Sequence, residues 1–371
     1  MAKERLHPAI MGACPSCVGA PSSGLVASRL ARCRSLALCL LVAALPLGCG
    51  PGGGGGPEPL AMRVVTFNTG SGGAVGSGQD GDFTSDLKAV ADQVYGNGLA
   101  WKPAVEAARR FFAEVQPDIV AFQEVYYTGD CSAVAEPDRT GFVCESWEPG
   151  HQTVAQVVLG EGYQVMCHLG KPDKCAAVRL GFGSFQGCAE AFCLEGMAGA
   201  RVPGCGSGSR VGRGVVELVA GGTLTLVNFH GSSGVSSEDA ECRLAQVNQV
   251  FVDLGLGDGE PGASGERNLV LGDLNADPVR WAAFDVSAAR WLDFVANPDY
   301  PVAERPFAFM SPAGSEAEPT YAALYNIDHV MSDSARGTCF VPGVDAGRPP
   351  VMDGDIHFDH HPIVCDLELL R

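Results

Sequence analysis

Four stretches of the chain share one pattern, an apolar, β-branched-rich run that ends in an acid, amide or imidazole. RVVTFN closes on Asn68, PDIVAFQEV carries Glu124, TLTLVNFH closes on His230, and LVLGDLNADP carries Asp273 and Asn275. Such runs predict buried strands whose polar ends reach open space. Strands are predicted over 62–68, 118–122, 268–271, 325–331 and 362–367, with a hairpin over 215–229 turning at Gly221-Gly222.

Helical spacing covers 103–115, where Val105, Ala108, Phe111, Phe112 and Val115 form one stripe behind Pro103, and 238–254, through Leu244, Val247, Val250 and Phe251. The segment 126–214 has few long periodic runs and reads as short strands with stapled loops. Strands outnumber helices and helices fall between strands, which suggests an α/β domain of two packed sheets with outer helices. No internal repeat and no second domain boundary is visible.

The N-terminus reads differently. Arg29, Arg32 and Arg34 precede an apolar run from Leu36 to Leu47, too short for a spanning helix of about 20 residues. Residues 1–48 are therefore expected to be an export signal. Leu45-Pro46-Leu47-Gly48-Cys49 resembles a bacterial lipoprotein cleavage box, with Cys49 as the lipid-bearing residue and simple secretion as the alternative. Residues 49–60, rich in Gly and Pro, form the expected tether, and 61–371 the domain. The expected location is the periplasm or cell surface as an anchored lipoprotein, or the medium as a secreted protein.

Cysteine use agrees with export. Of 15 cysteines, five (Cys14, Cys17, Cys33, Cys39 and Cys49) lie in or at the end of the leader, and the even remainder implies disulfides. Sequence-near pairing joins Cys131 to Cys144, Cys167 to Cys175 and Cys188 to Cys193 as the simplest hypothesis. The net charge of −18 grows more negative once the basic leader is removed, and repels polyanions at long range. A bound cation can reverse that locally.

Two more polar signatures complete the set, Asp328 in NIDHV and Asp359-His360 in DHHPIV. Each residue has a bland reading. Asn68 and Glu124 suit any strand end, Gly-Asp and Asn-Ala-Asp-Pro suit a turn, and a histidine cluster suits a surface. Strand geometry, if it persists past Leu271, points Asp273 and Asn275 the same way. Alternation instead separates Asp359 from His360, so a loop is needed for them to act together. Carboxylate and amide oxygens suit hard cations, and imidazoles suit proton transfer.

In order and context the six signatures resemble those of the endonuclease/exonuclease/phosphatase superfamily, across residues 62–367, with PDIVAFQEV, LGDLNADP and DHHPIV the most specific. The resemblance implies a four-layer α/β/β/α sandwich with two packed mixed sheets. It also implies Mg²⁺, with Mn²⁺ or Ca²⁺ as substitutes, near Glu124, Asn68 and Asp359. Asp273 would orient or deprotonate water, Asn275 would donate to the transition state, His230 and His360 would contact phosphate, and Asp328 would pair with His360. No acidic partner for His230 is evident in the sequence. Three departures bear on substrate: a long glycine-rich link over 69–98, Gly-Ser-Ser after His230, and no inositol-phosphatase signature around Asp328.

The expected activity is metal-dependent hydrolysis of a phosphate ester by activated water, nuclease-like first and sphingomyelinase-like on a phospholipid second. A surface binding module without turnover is the rival from another class. No protein partner is predicted.

Overall fold

A computed structural model describes residues 58–71, 90–206, 208–296, 306–314, 317–321, 324–342 and 357–370. The predicted export signal, Cys49 and most of the tether lie outside them, as does most of the glycine-rich link. No described helix is long and apolar enough to cross a membrane.

The first sheet contains β1 (Leu60–Asn68), β2 (Ile119–Gln123), β3 (Tyr163–His168), β4 (Lys171–Arg179), β6 (Phe192–Cys193), β13 (Ala335–Phe340) and β14 (Ile363–Leu369). Its order is β13-β14-β1-β2-β4-β3-β6. The second contains β5 (Gly183–Phe185), β7 (Val211–Leu218), β8 (Thr223–His230), β9 (Asn268–Asp273), β10 (Val295–Ala296), β11 (Phe307–Phe309) and β12 (Asp328–Ser332). Its order is β10-β11-β12-β9-β8-β7-β5. Both sheets are mixed, with β1–β2 and β8–β9 parallel and most other pairs antiparallel.

Side-chain alternation divides each strand between two layers. Met62, Val64, Ile119 and Ala121 of the first sheet meet Leu224, Leu226, Leu269, Leu271 and Val330 of the second in one buried cluster. The alternate residues Val65, Phe67, Val120 and Phe122 pack outward on α1 (Lys102–Val115) and α2 (Val154–Leu159). On the far side Val227, Phe229 and Val270 pack on α3 (Ser237–Phe251) and α4 (Val286–Phe294), through Val247, Val250 and Trp291. The result is the expected α/β/β/α sandwich.

The predicted strands and both predicted helices form, with ends moved by a few residues. The segment 126–214 holds the expected short strands and stapled loops and, beyond them, the β3–β4 hairpin, whose nine-residue β4 pairs in register from Tyr163–Arg179 to Cys167–Cys175 before the register shifts at His168. Five disulfides staple the fold. They include the three proposed pairs, together with Cys205–Cys242 and Cys339–Cys365. Such a set suits an oxidising, exported environment.

Candidate active site

The inner rows of the sandwich turn polar at one end. Met62, Val64 and Thr66 lead to Asn68; Ile119 and Ala121 to Gln123; Leu224, Leu226 and Asn228 to His230; Leu269 and Leu271 to Asp273. Register then sets neighbours. His230 is paired with Asp273 across β8–β9, and Asp273 with Asp328 across β9–β12. A buried polar bridge closes the sheets beneath them. Thr66 Oγ1 donates to Gln123 Oε1 (3.3 Å), Gln123 Nε2 to Asn228 Oδ1 (2.8 Å), and Asn228 Nδ2 to the carbonyls of Phe122 and Cys175 (2.9 and 2.8 Å).

Close approach at the end of β9 depends on Gly272, at φ +145°. A Cβ there would stand 1.9 Å from the Phe229 carbonyl oxygen, so any side chain would push β8 away just before His230 and Asp273. Glu124 and Asn275 lie just beyond strand ends with φ of 56° and 49°, left-handed conformations that are uncommon outside glycine. Of the two readings the sequence leaves open for Asn275, the structure takes the turn: the residue does not continue the strand. It folds back, its N–H donating to Asp273 Oδ1 (2.7 Å) and its Nδ2 to Asp273 Oδ2 (2.8 Å).

Asp273 Oδ2 is the meeting point of the site. Asn68 Nδ2 donates to it at 2.9 Å, Asn275 Nδ2 at 2.8 Å, and the Nε2 atoms of His230 and His360 stand 3.8 and 3.9 Å away. His360 Nδ1 lies 2.8 Å from Asp328 Oδ2, the pairing the resemblance implies. Asp359 and His360 sit in a loop before β14, as their joint action requires. His361 N–H donates to the Thr320 carbonyl (2.7 Å), and Thr320 Oγ1 accepts from the N–H groups of Ile327 and Asp328, tying the loop to the start of β12.

The three predicted metal ligands converge separately. A Cβ added to Gly70 would stand 2.6 Å from Glu124 Oε2, 3.0 Å from Asp359 Oδ1 and 3.3 Å from Asn68 Oδ1. Three oxygens around a space kept open by glycine are a hard-cation donor set. Asp273, Asp328 and His360 also bring ligand-type atoms within 4.8 Å of one another. In that trio the His360 imidazole already lies 2.8 Å from the Asp328 carboxylate.

Electrostatics separates the two histidines. Burial holds His230 down to about 4, against the pull of Glu124 Oε1 3.2 Å from its Nε2. His230 is therefore neutral at neutral pH, and its closest acid is the predicted metal ligand, the partner that sequence reading missed. Burial raises the Glu124 carboxyl, but His230, His360 and Lys171 outweigh it and bring it to about 2, where His230 is protonated. Burial also opposes charge on His360, yet Asp328 and Asp273 lift it to about 10. Asp273 is raised to about 7 by burial and the Asp328 charge, with His360, Asn275 and Asn68 pulling the other way.

All eight predicted residues thus lie in one connected neighbourhood. Sequence reading missed the bridging Gln123 and Asn228, each within two residues of a predicted site residue. It also missed Tyr321, whose ring lies 4.6 Å from that of His360 and whose segment has no periodic signal. A cavity of about 880 Å³ lies elsewhere, among the Arg63–Asp366 and Arg179–Asp118 ion pairs.

No family model and no curated protein matches the chain. Among solved structures it is similar to an endonuclease/exonuclease/phosphatase from Beutenbergia cavernae, with 15% identity over 84% of this chain and 72% of that one, at a TM-score of 0.42. ANGEL2, a 2',3'-cyclic phosphatase, aligns with 13% identity over 84% and 97% of the two chains at a TM-score of 0.44. The Xenopus laevis APE2 catalytic domain aligns with 14% identity over 84% and 94% at 0.42. These distant likenesses carry no functional weight here. In the order of its six motifs and the single site where they meet, the chain resembles the endonuclease/exonuclease/phosphatase superfamily.

Proposed function

We propose that the protein is an exported, metal-dependent phosphoesterase that cleaves a phosphodiester with activated water and forms no covalent intermediate. The observation that carries this reading is the convergence of Asn68, Asn275, His230 and His360 on Asp273 Oδ2, beside the oxygen cradle of Asn68, Glu124 and Asp359. Those three oxygens would hold Mg²⁺, or Mn²⁺ or Ca²⁺ in its place. A cation bound there supplies positive charge against the phosphoryl oxygens.

The chain's own groups do the rest. Asp273, with a pKa near 7, has the proton affinity of a base at neutral pH. It orients water and takes its proton as the water oxygen bonds to phosphorus and the leaving oxygen departs. Asn275 would donate to a phosphoryl oxygen in place of its longer bond to the Gly231 carbonyl (3.1 Å), keeping its bond to Asp273. His360, kept cationic by Asp328, offsets negative charge as it develops, and neutral His230 contacts phosphate from the other side.

A nuclease is the first substrate reading. A specific observation favours the second, a phospholipid. From His360 an aromatic row runs outward through Tyr321, Tyr325 (6.4 Å from Tyr321), Trp281 (5.3 Å from Tyr325) and Phe284 (6.3 Å from Trp281). Phe284 is 75% exposed, and Val286, two residues after it, and Leu324, next to Tyr325 in sequence, are exposed as well. Such a rim fits acyl chains or a bilayer surface better than a polyanion. The test is a panel of DNA, RNA, sphingomyelin vesicles and inositol phosphates, each assayed with metal and with chelator. Cleavage of lipid alone would exclude the nuclease. No metal-dependent cleavage of any substrate would favour the binding module.

A further inference from the structure

The loop that follows His230 is held by an arginine buried in the second helical layer. Arg243 on α3 is 1% exposed, and its guanidinium reaches four residues in two segments. Nη1 donates to the carbonyls of Ser232 and Gly234, both at 2.8 Å; Nη2 donates to Asp285 Oδ2 at 2.7 Å; Nε donates to Ser287 Oγ at 3.1 Å. One turn along the helix, Gln246 Oε1 accepts from the Ser232 N–H (2.9 Å), and Gln246 Nε2 donates to Ser232 Oγ (2.8 Å).

The clamped segments carry site residues. Gly231 joins His230 to Ser232, and its N–H donates to the Asp273 carbonyl (2.8 Å). Its own carbonyl accepts from Asn275 Nδ2 (3.1 Å) and from Arg210 Nη1 (2.7 Å). A Cβ on Gly231 would lie 2.3 Å from the Leu274 carbonyl oxygen, so the loop is pressed directly against the segment bearing Asn275. That segment leads on to Asp285, the N-cap of α4 and the acid that holds Arg243.

We propose that Arg243, aided by Gln246, is a positioning residue. By bridging the Gly231–Gly234 loop to the Asp285 cap, it holds His230 and Asn275 in register around Asp273. The role rests on the hydrolase reading for its catalytic consequence, though not for its geometry. A guanidinium suits the task because one rigid, planar group presents donors in several directions at once. A lysine ammonium cannot span the Ser232, Asp285 and Ser287 partners together. The Gly-Ser-Ser that sets this chain apart after His230 is the segment the clamp grips.

The experiment compares wild type with Arg243→Lys, which keeps the charge, and Gln246→Met, which keeps the shape. Kinetics on bis(p-nitrophenyl) phosphate are combined with amide hydrogen exchange at Ser232 and NMR of the Asn275 side-chain amide. In folded variants kcat is expected to fall about 10- to 100-fold, as for a catalytic group displaced by about 1 Å, with KM changed less than about twofold. Exchange at Ser232 speeds up and the Asn275 signals shift. Unchanged Asn275 signals in both variants overturn the proposal, as does an unchanged kcat once Ser232 is loosened. Wild-type protein without hydrolysis would defeat the hydrolase reading instead, and the Asn275 signals would still decide whether the clamp exists. If Arg243→Lys does not fold, Gln246→Met carries the same comparison.

Discussion

Two clusters of acids lie side by side at the open end of the sandwich, and their surroundings differ in the way the proposed division of work between them needs. Asn68, Glu124 and Asp359 point oxygens into a space that only glycine leaves open, and the Glu124 side chain is 35% exposed. Asp273 and Asp328 are each 1% exposed or less, and are enclosed by amide donors and the His360 imidazole. A carboxylate kept near water with a low pKa is ready for a cation. A carboxylate buried beside a second acid has its pKa raised and becomes a base.

Substitutions can separate the two. The largest effect is expected from Asp273→Asn, which leaves the cradle intact and lowers kcat about 10²- to 10⁴-fold at any metal concentration. Stability should move the other way. Asp273 is raised from 3.8 to about 7 in the fold, so its stabilising contribution is complete below pH 3.8 and is lost as pH rises through 7. Asparagine escapes that loss. Urea unfolding of metal-free protein should therefore show the variant gaining on wild type between pH 4 and 7, and holding the gain above.

Next is Gly70→Ala, which puts a methyl group among the three cradle oxygens. Metal affinity, read by titration calorimetry, should fall by at least about 10- to 100-fold, with the circular dichroism spectrum unchanged. A variant that binds metal normally would move the metal to the Asp273–Asp328–His360 side.

Asp328→Asn should cost less, about 10-fold in kcat, because it removes only the acid that holds His360. The pairing lifts His360 from 6.5 to about 10, so its stabilising contribution is full below pH 6.5 and is lost as pH rises through 10. Wild type should lose stability over that window by denaturant unfolding, and the variant should lose much less. The smallest effect is expected from Phe284→Ser, with less than about twofold change on a soluble ester. A larger drop on sphingomyelin vesicles would support the phospholipid reading.

Much of this was legible because the same residues that end the apolar rows also form the site. Leu269 and Leu271 place Asp273 on the inner face by simple alternation, and Leu224 and Leu226 place His230. Asn275 was not legible by alternation, since its φ of 49° folds it back onto Asp273. The β3–β4 hairpin escaped because Lys171, Pro172, Asp173 and Lys174 interrupt any apolar pattern before Cys175. The Cys131–Cys144, Cys167–Cys175 and Cys188–Cys193 pairs follow from nearness in sequence. Cys205–Cys242 and Cys339–Cys365, separated by 37 and 26 residues, needed the folded chain to bring them together. The partner of His230 was hidden for the same reason, since β2 and β8 lie in different sheets.

Hydrolysis of bis(p-nitrophenyl) phosphate by the purified domain, with Mg²⁺, with chelator, and with Mg²⁺ restored, joins both clusters in one assay. Wild type should turn over with metal, stop with chelator and recover on readdition, while Asp273→Ala stays inactive throughout. Turnover that survives chelation, or that Asp273→Ala retains, would contradict a metal-dependent site built around Asp273.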